Sequence, residues 1–132
     1  MKLIKTITDC PCGSGSDFND CCEPYLNRTL APSTAEKLMR SRYSAFALAN
    51  RDYLIKTWYP DTRPLDIQFA EDISWVKLEI LHITGGTEFD SYGEIEFDAT
   101  YIIGIDPTIH IHHERSVFRR QNGRWFYDDE IE

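Results

Sequence analysis

Apolar and polar residues recur along this chain in two rhythms, and the change between them divides its larger part. From Ala35 the apolar residues follow helical spacing, with Ala35, Leu38, Met39, Ala45, Phe46 and Ala49 along one face. Ser33-Thr34-Ala35-Glu36 has the spacing of a capping box. It predicts Ser33 as N-cap, Glu36 reaching back to its amide, and a helix running to about Asn50. A second, short helix is predicted from Asp52 to just before Pro60, burying Tyr53, Leu54 and Trp58. Asp61 to Ser74 is a turn-rich connection with room for one more helical turn. Beyond it the period falls to two. Val76, Leu78 and Ile80 alternate with Lys77 and Glu79, and Gly85-Gly86 marks a turn. Ile95, Phe97, Ala99, Tyr101 and Ile103 line one face of the clearest half-buried strand, with Glu94, Glu96, Asp98 and Thr100 on the other. Ile109 to Arg120 reads as a further strand, Gln121-Asn122-Gly123 as a hairpin turn and Arg124 to Ile131 as the last strand. Helices followed by antiparallel strands make an α+β domain.

The residues before this domain obey neither rhythm. Asp9 to Cys22 is Gly/Ser-rich and nearly without aliphatic side chains, so no hydrophobic core of its own can hold it. Asn27 to Pro32 reads as a linker. All four cysteines of the chain, Cys10, Cys12, Cys21 and Cys22, fall in this first part. Cys-x-Cys, eight residues, then Cys-Cys can supply four thiolates to one tetrahedral zinc ion. Gly13 and Gly15 permit tight turns whose backbone N–H groups can face the sulfurs. Two disulfides and a redox dithiol are the alternatives. Cytosolic thiols stay reduced, and no Cys-x-x-Cys is present, so structural zinc is the favoured reading. A closed four-thiolate site keeps no position for water and is not a catalytic one.

Composition narrows the setting. The chain has 132 residues, 42% hydrophobic and 27% charged, which suits one core of ordinary size. No apolar run approaches a membrane span, and Met1 to Asp9 lacks the continuous apolar stretch of a secretory signal. A cytoplasmic protein with no membrane partner is expected. The net charge is −8, and the tail Asp128-Asp129-Glu130-Ile131-Glu132 is acidic. Nucleic-acid binding rests on clustered basic residues, which are absent apart from Arg40 and Arg42 as a modest basic spot on the first long helix. No nucleic-acid partner is therefore expected.

Cys10-Pro11-Cys12-Gly13-Ser14-Gly15 followed by Cys21-Cys22 resembles the SEC-C motif, a short zinc-binding module also found at the C-terminus of the SecA translocation ATPase. Glu23-Pro24-Tyr25, Leu38-Met39-Arg40-Ser41-Arg42-Tyr43-Ser44-Ala45-Phe46, Trp58-Tyr59-Pro60, Thr62-Arg63-Pro64, His113-Glu114-Arg115-Ser116 and Gly123-Arg124-Trp125-Phe126-Tyr127 extend the likeness to the YchJ-like family. The resemblance implies a SEC-C type zinc-binding motif over residues 1–30. It implies a nuclear transport factor 2-like (NTF2-like) domain over 31–132, a cone of curved antiparallel sheet on helices with a pocket at its wide end. In one respect this chain departs from the motif. SEC-C motifs usually carry lysines between the second and third ligands, where Ser16-Asp17-Phe18-Asn19-Asp20 stands here, so the knot is anionic and unsuited to RNA or acidic partners.

Arg42 interrupts the apolar stripe of the first long helix, so it either snorkels outward or meets a carboxylate inside. Glu114 and Ser116 share one face of their strand and His113 and Arg115 the other. Facing Glu114 inward gives Arg42 a partner. Candidate pocket residues are Arg42, Tyr43, Tyr101, Glu114 and Ser116; the metal ligands are the four cysteines. His110 and His112 share a strand face but lack a third ligand. Trp75, Trp125 and Tyr127 read as sheet packing. No catalytic residue can be named, and with neither a nucleophile beside a base nor a cofactor loop, a non-catalytic binding or adaptor module is favoured. Its partner would be a small molecule or a protein. A small hydrolase or isomerase using the pocket's polar residues is the alternative.

Overall fold

The computed structural model describes residues 9–132. The reading of Met1 to Thr8 as free of a secretory stretch lies outside them. A 3-10 turn at Phe18–Asp20 lies between the two cysteine pairs and a short helix α1 (Glu23–Leu26) follows them, neither of which the sequence pattern announces. Two further helices follow, α2 (Ala35–Ala47) and α3 (Arg51–Lys56). Four strands complete the chain: β1 (Ile73–Gly85), β2 (Tyr92–Ile103), β3 (Asp106–Gln121) and β4 (Arg124–Glu130). They form one antiparallel sheet in chain order, as short hairpin connections favour. No helix among the described residues is long and apolar enough to cross a membrane.

The helix boundaries differ from the sequence reading for local reasons. The N-cap of α2 is Thr34, not Ser33: Thr34 is extended and its Oγ1 accepts from the Lys37 amide at 3.1 Å. Ser33 is instead pinned through its carbonyl, which accepts from Trp125 Nε1, and Glu36 turns forward to Arg40 at 3.0 Å. The helix ends at Ala47 because Ala49 takes a left-handed φ of 55°, which leaves it exposed and off the apolar face. Asn50 then caps α3, which stops at Lys56, so Trp58 lies beyond the helix in a bridge to Tyr127. Between Asp61 and Ser74 there is no additional helical turn.

The sheet follows the two-residue period with one instructive break. Leu78 is buried and Ile80 half-buried, but Val76 is 58% exposed. A register shift between Trp75 and Lys77 carries Val76 outward and turns Trp75 inward in its place. In β2, Ile95, Phe97 and Ala99 are buried, while Ile103 at the strand end is exposed. Phe97 pairs with Glu114 and Ile95 with Ser116, which settles the facing of β3: Glu114, Ser116 and Phe118 point to the helices.

The inner sheet face and α2 share one buried cluster containing Leu38, Met39, Tyr43, Leu78, Ile95, Phe97 and Phe118. Cys10, Cys12 and Cys22 belong to the same cluster. A smaller cluster of Ala45, Tyr53 and Leu54, with Phe46 and Phe69 against it, seats α3 on the far side of α2.

Candidate functional site

Two constellations stand out, and α2 connects them. On one side of it, against Arg40 and Ser44, the loop from Cys10 to Cys22 brings four sulfurs within 4.8 Å of one another. Cys12 and Cys21 sulfurs are 3.6 Å apart and those of Cys21 and Cys22 4.0 Å. Sulfurs bound to one zinc ion at about 2.3 Å would lie about 3.8 Å apart. All four are free thiols, three of them buried, so the disulfide alternative is not realised. The donor set and its spacing fit a metal ion and a small zinc knot.

Crowding alone sets these thiols against each other. A hydrogen bond from Cys22 pulls the Cys12 pKa down to about 4, and the same contact pushes Cys22 up. In the turn that Gly13 and Gly15 permit, Gly13 N–H is spent on the Cys10 carbonyl. The Ser14 amide, between the two glycines, hydrogen-bonds Cys12, and the Ser14 hydroxyl is 3.1 Å from Cys21 Sγ. The acids Asp9, Asp17 and Asp20 are exposed around the knot.

Arg40 and Arg42 form no basic spot. Arg40 is tied to Glu36 and to the Cys12 carbonyl at 2.9 Å, bracing the knot on α2, and Arg42 is 3% exposed on a different side of the helix.

The second constellation is a cavity of about 480 Å³ between the C-terminal half of α2, the segment after α3 and the inner sheet face. Its walls are mainly aromatic: Tyr43, Phe46, Trp58, Trp75, Tyr101 and Tyr127. Trp75 and Tyr127 are therefore cavity walls rather than packing alone, whereas Trp125 is buried beneath Ser33. All five residues singled out from the sequence, Arg42, Tyr43, Tyr101, Glu114 and Ser116, line it.

Arg42 and Glu114 share the cavity but make no ion pair. Arg42 Nη1 donates to the Leu54 carbonyl at 2.8 Å and to Thr57 Oγ1 at 2.7 Å, and the guanidinium lies 4.6 Å from the Tyr127 ring centroid and 5.2 Å from that of Trp58. Glu114 finds its partners within the sheet. Its Oε2 accepts from Ser116 Oγ and from Tyr127 O–H, and His112 Nε2 is 3.0 Å from Oε1. Tyr127 thus stands between them, ring toward the cation and hydroxyl toward the carboxylate. Burial holds the Arg42 pKa down at about 10, still charged at neutral pH, and drives the Tyr127 phenol upward.

Sequence reasoning missed Trp58, Thr57 and Tyr127 as partners of Arg42. They come from a helix end and a distant strand, and no spacing rule connects those. His110 and His112 do not combine on a metal: His110 stacks on Tyr101 at 5.2 Å and His112 turns to Glu114.

On the outer sheet face His113 meets two acids, Asp98 at 2.6 Å and Glu96 at 3.1 Å. The Asp98 hydrogen bond, aided by both negative charges, raises its pKa above the ordinary 6.5. A raised folded value adds stability below the unfolded pKa and loses it as pH rises through the folded one. An NMR titration should place His113 above 6.5, and Asp98→Asn should bring it back toward that value. A titration indifferent to Asp98→Asn would dissolve the pair.

Helices seated on a four-stranded antiparallel sheet around a cavity, with a four-cysteine knot on the first long helix, define an NTF2-like domain bearing a SEC-C motif. The chain belongs to the YchJ family: residues 34–130 match the model of the YchJ middle NTF2-like domain. It is 42% identical over 118 residues to a UPF0225 protein of Corynebacterium glutamicum, covering 89% of this chain and 92% of that one. The solution structure of a SEC-C motif containing protein from Rhodopseudomonas palustris matches with a TM-score of 0.79 and 37% identity, over 92% of this chain and 96% of the other. The crystal structure of a SEC-C motif containing protein from Psychrobacter arcticus matches with a TM-score of 0.75 and 29% identity, over 93% and 81%.

Proposed function

We propose that this protein is a zinc-stapled, non-catalytic binding module of the cytoplasm whose cavity takes a small, largely apolar organic molecule. The aromatic cavity of about 480 Å³ carries this reading, being within the usual range of small-molecule sites and holding a few convergent polar groups in mainly apolar walls. Zinc is the metal best suited to four thiolates in a closed loop, and its role there is structural. Four free thiols so close together suit a reducing compartment. The burial of Arg42 removes the one basic spot, which supports the absence of a nucleic-acid partner.

The enzymatic alternative would rest on Glu114 with His112. Glu114 already accepts from Ser116 and Tyr127 and contacts His112, so the cluster is built as a fixed hydrogen-bonded wall, which favours binding.

A thermal-shift screen of small aromatic and alicyclic compounds tests the reading, run on the wild type and on Ala99→Leu. Ala99 is a cavity wall only 3% exposed and pairs with His112 across the sheet, so leucine there takes up cavity space on the side away from Arg42's hydrogen-bond partners Leu54 and Thr57. Hits should raise the wild-type melting temperature by several degrees and lose their effect on the filled variant. Hits acting equally on both, or none at all, would reject the cavity as the site.

A further inference from the structure

We infer that the molecule taken by the cavity carries a carboxylate, received by the guanidinium of Arg42, with an aromatic or alicyclic body against the ring walls. The inference rests on the reading of the cavity as a small-molecule site and adds the chemical class of the ligand.

Arg42 is 3% exposed and makes no ion pair among the described residues, which is an unusual condition for a buried cation. Only one of its three nitrogens is engaged: Nη1 holds the Leu54 carbonyl and Thr57, while Nε and Nη2 have no acceptor. Donors are in surplus nearby as well. Trp58, whose ring the guanidinium covers, keeps its Nε1 buried without an acceptor. Trp58 Nε1 is closed off from the cavity, but a guanidinium with two open nitrogens in a cavity wall calls for an acceptor from the occupant. A carboxylate answers with both charge and geometry, since a guanidinium fork takes its two oxygens together.

Glu114 is the group that opposes this, and its position answers the objection. Its oxygens are held by Ser116, Tyr127 and His112, and it makes no contact with Arg42. The cavity's other acid, Glu130, is exposed to solvent. The Glu114 charge is felt at Arg42 across Tyr127 without contact; the acid's oxygens are engaged by their neighbours, while the Arg42 end is short of acceptors. Burial lowers the Arg42 pKa only to about 10, so both it and a carboxylate keep their charges from pH 6 to 8.

The test is a matched series of three probes of one shape, 1-naphthoate, 1-naphthamide and 1-naphthylmethylammonium, titrated calorimetrically into the full zinc-loaded chain. Naphthoate should bind at least tenfold more tightly than the neutral amide, and the ammonium weakest. Arg42→Met should erase the preference, leaving naphthoate and naphthamide within about twofold of one another. Arg42→Lys, keeping charge but not the fork, should retain only part of it. The wild-type series decides even if a variant fails to fold. Amide or ammonium binding as well as naphthoate overturns the carboxylate assignment and leaves the cavity reading standing. No binding by any of the three, with Ala99→Leu indistinguishable from wild type throughout, overturns both.

Discussion

Stripping the metal from the full chain, or replacing Cys22 with serine, is expected to remove most of the stability of the whole protein. One tightly held zinc per chain should be lost in either case. The magnitude follows from two scales: structural zinc contributes of order 10 kcal/mol in small peptides, and a domain of this size has about 5–15 kcal/mol in all. The extent follows from packing. Chain order suggests a knot that could loosen alone, before about Asn27, while the larger domain stays folded on its own apolar residues. Cys10, Cys12 and Cys22 are instead members of the cluster that holds Leu38, Met39, Tyr43 and Leu78, and Arg40 of α2 is bonded to the Cys12 carbonyl. Releasing the loop uncovers one side of α2. Metal analysis, denaturant unfolding and amide exchange on α2 should therefore report the loss together. Native metal-free protein with four titratable thiols and an unchanged unfolding midpoint would overturn the metal role.

Gly93→Ala is expected to cost about 3 kcal/mol or more, at the upper end of what one added methyl does in a packed core. A Cβ at Gly93 would lie 2.6 Å from Gly86 Cα and 2.8 Å from Gly86 N, and backbone atoms cannot swing aside. Gly86 has little freedom of its own, with a φ of +72° and a carbonyl that accepts from the Ala35 amide at 2.9 Å. This stack seats the start of α2 on the start of β2, and with it both the knot and the cavity wall. Gly123→Ala is the control. Its φ is +78° but nothing lies within 4 Å of the added atom, so only the left-handed strain of roughly 1–2 kcal/mol applies. Equal unfolding midpoints for the two variants would show that the close approach is not what glycine serves at position 93.

What was legible in the sequence was periodic or local. The 3.6-residue stripe located α2, and alternation located β2 and the ends of the sheet, because a half-buried element shows its core face as a repeat. The cysteine cluster was legible because four thiols that could serve one ion need only a short loop to meet. Errors fell where a neighbour competed for a group. Thr34 took the cap from Ser33, whose carbonyl accepts from Trp125, and a bulge exchanged Trp75 for Val76 on the inner face.

Glu114 illustrates the divide. Its two-residue period allowed either facing, and pairing with Phe97 chose the inner one. Arg42 was recognisable as misplaced in an apolar stripe, and pairing it with the nearest suitable acid was sound reasoning from charge. The folded chain meets that charge instead with a carbonyl from the end of α3, a threonine hydroxyl and two ring faces. By itself, then, the sequence determined the α+β class, the buried face of α2, the alternation of β2, the cysteine cluster and the out-of-place Arg42. Only the tertiary structure decided which groups satisfy that cation, which donors it leaves over, and that the knot and cavity lean on one helix. Periodicity and spacing are properties of neighbours in the chain, whereas hydrogen-bond partners are allotted by geometry among residues far apart in it.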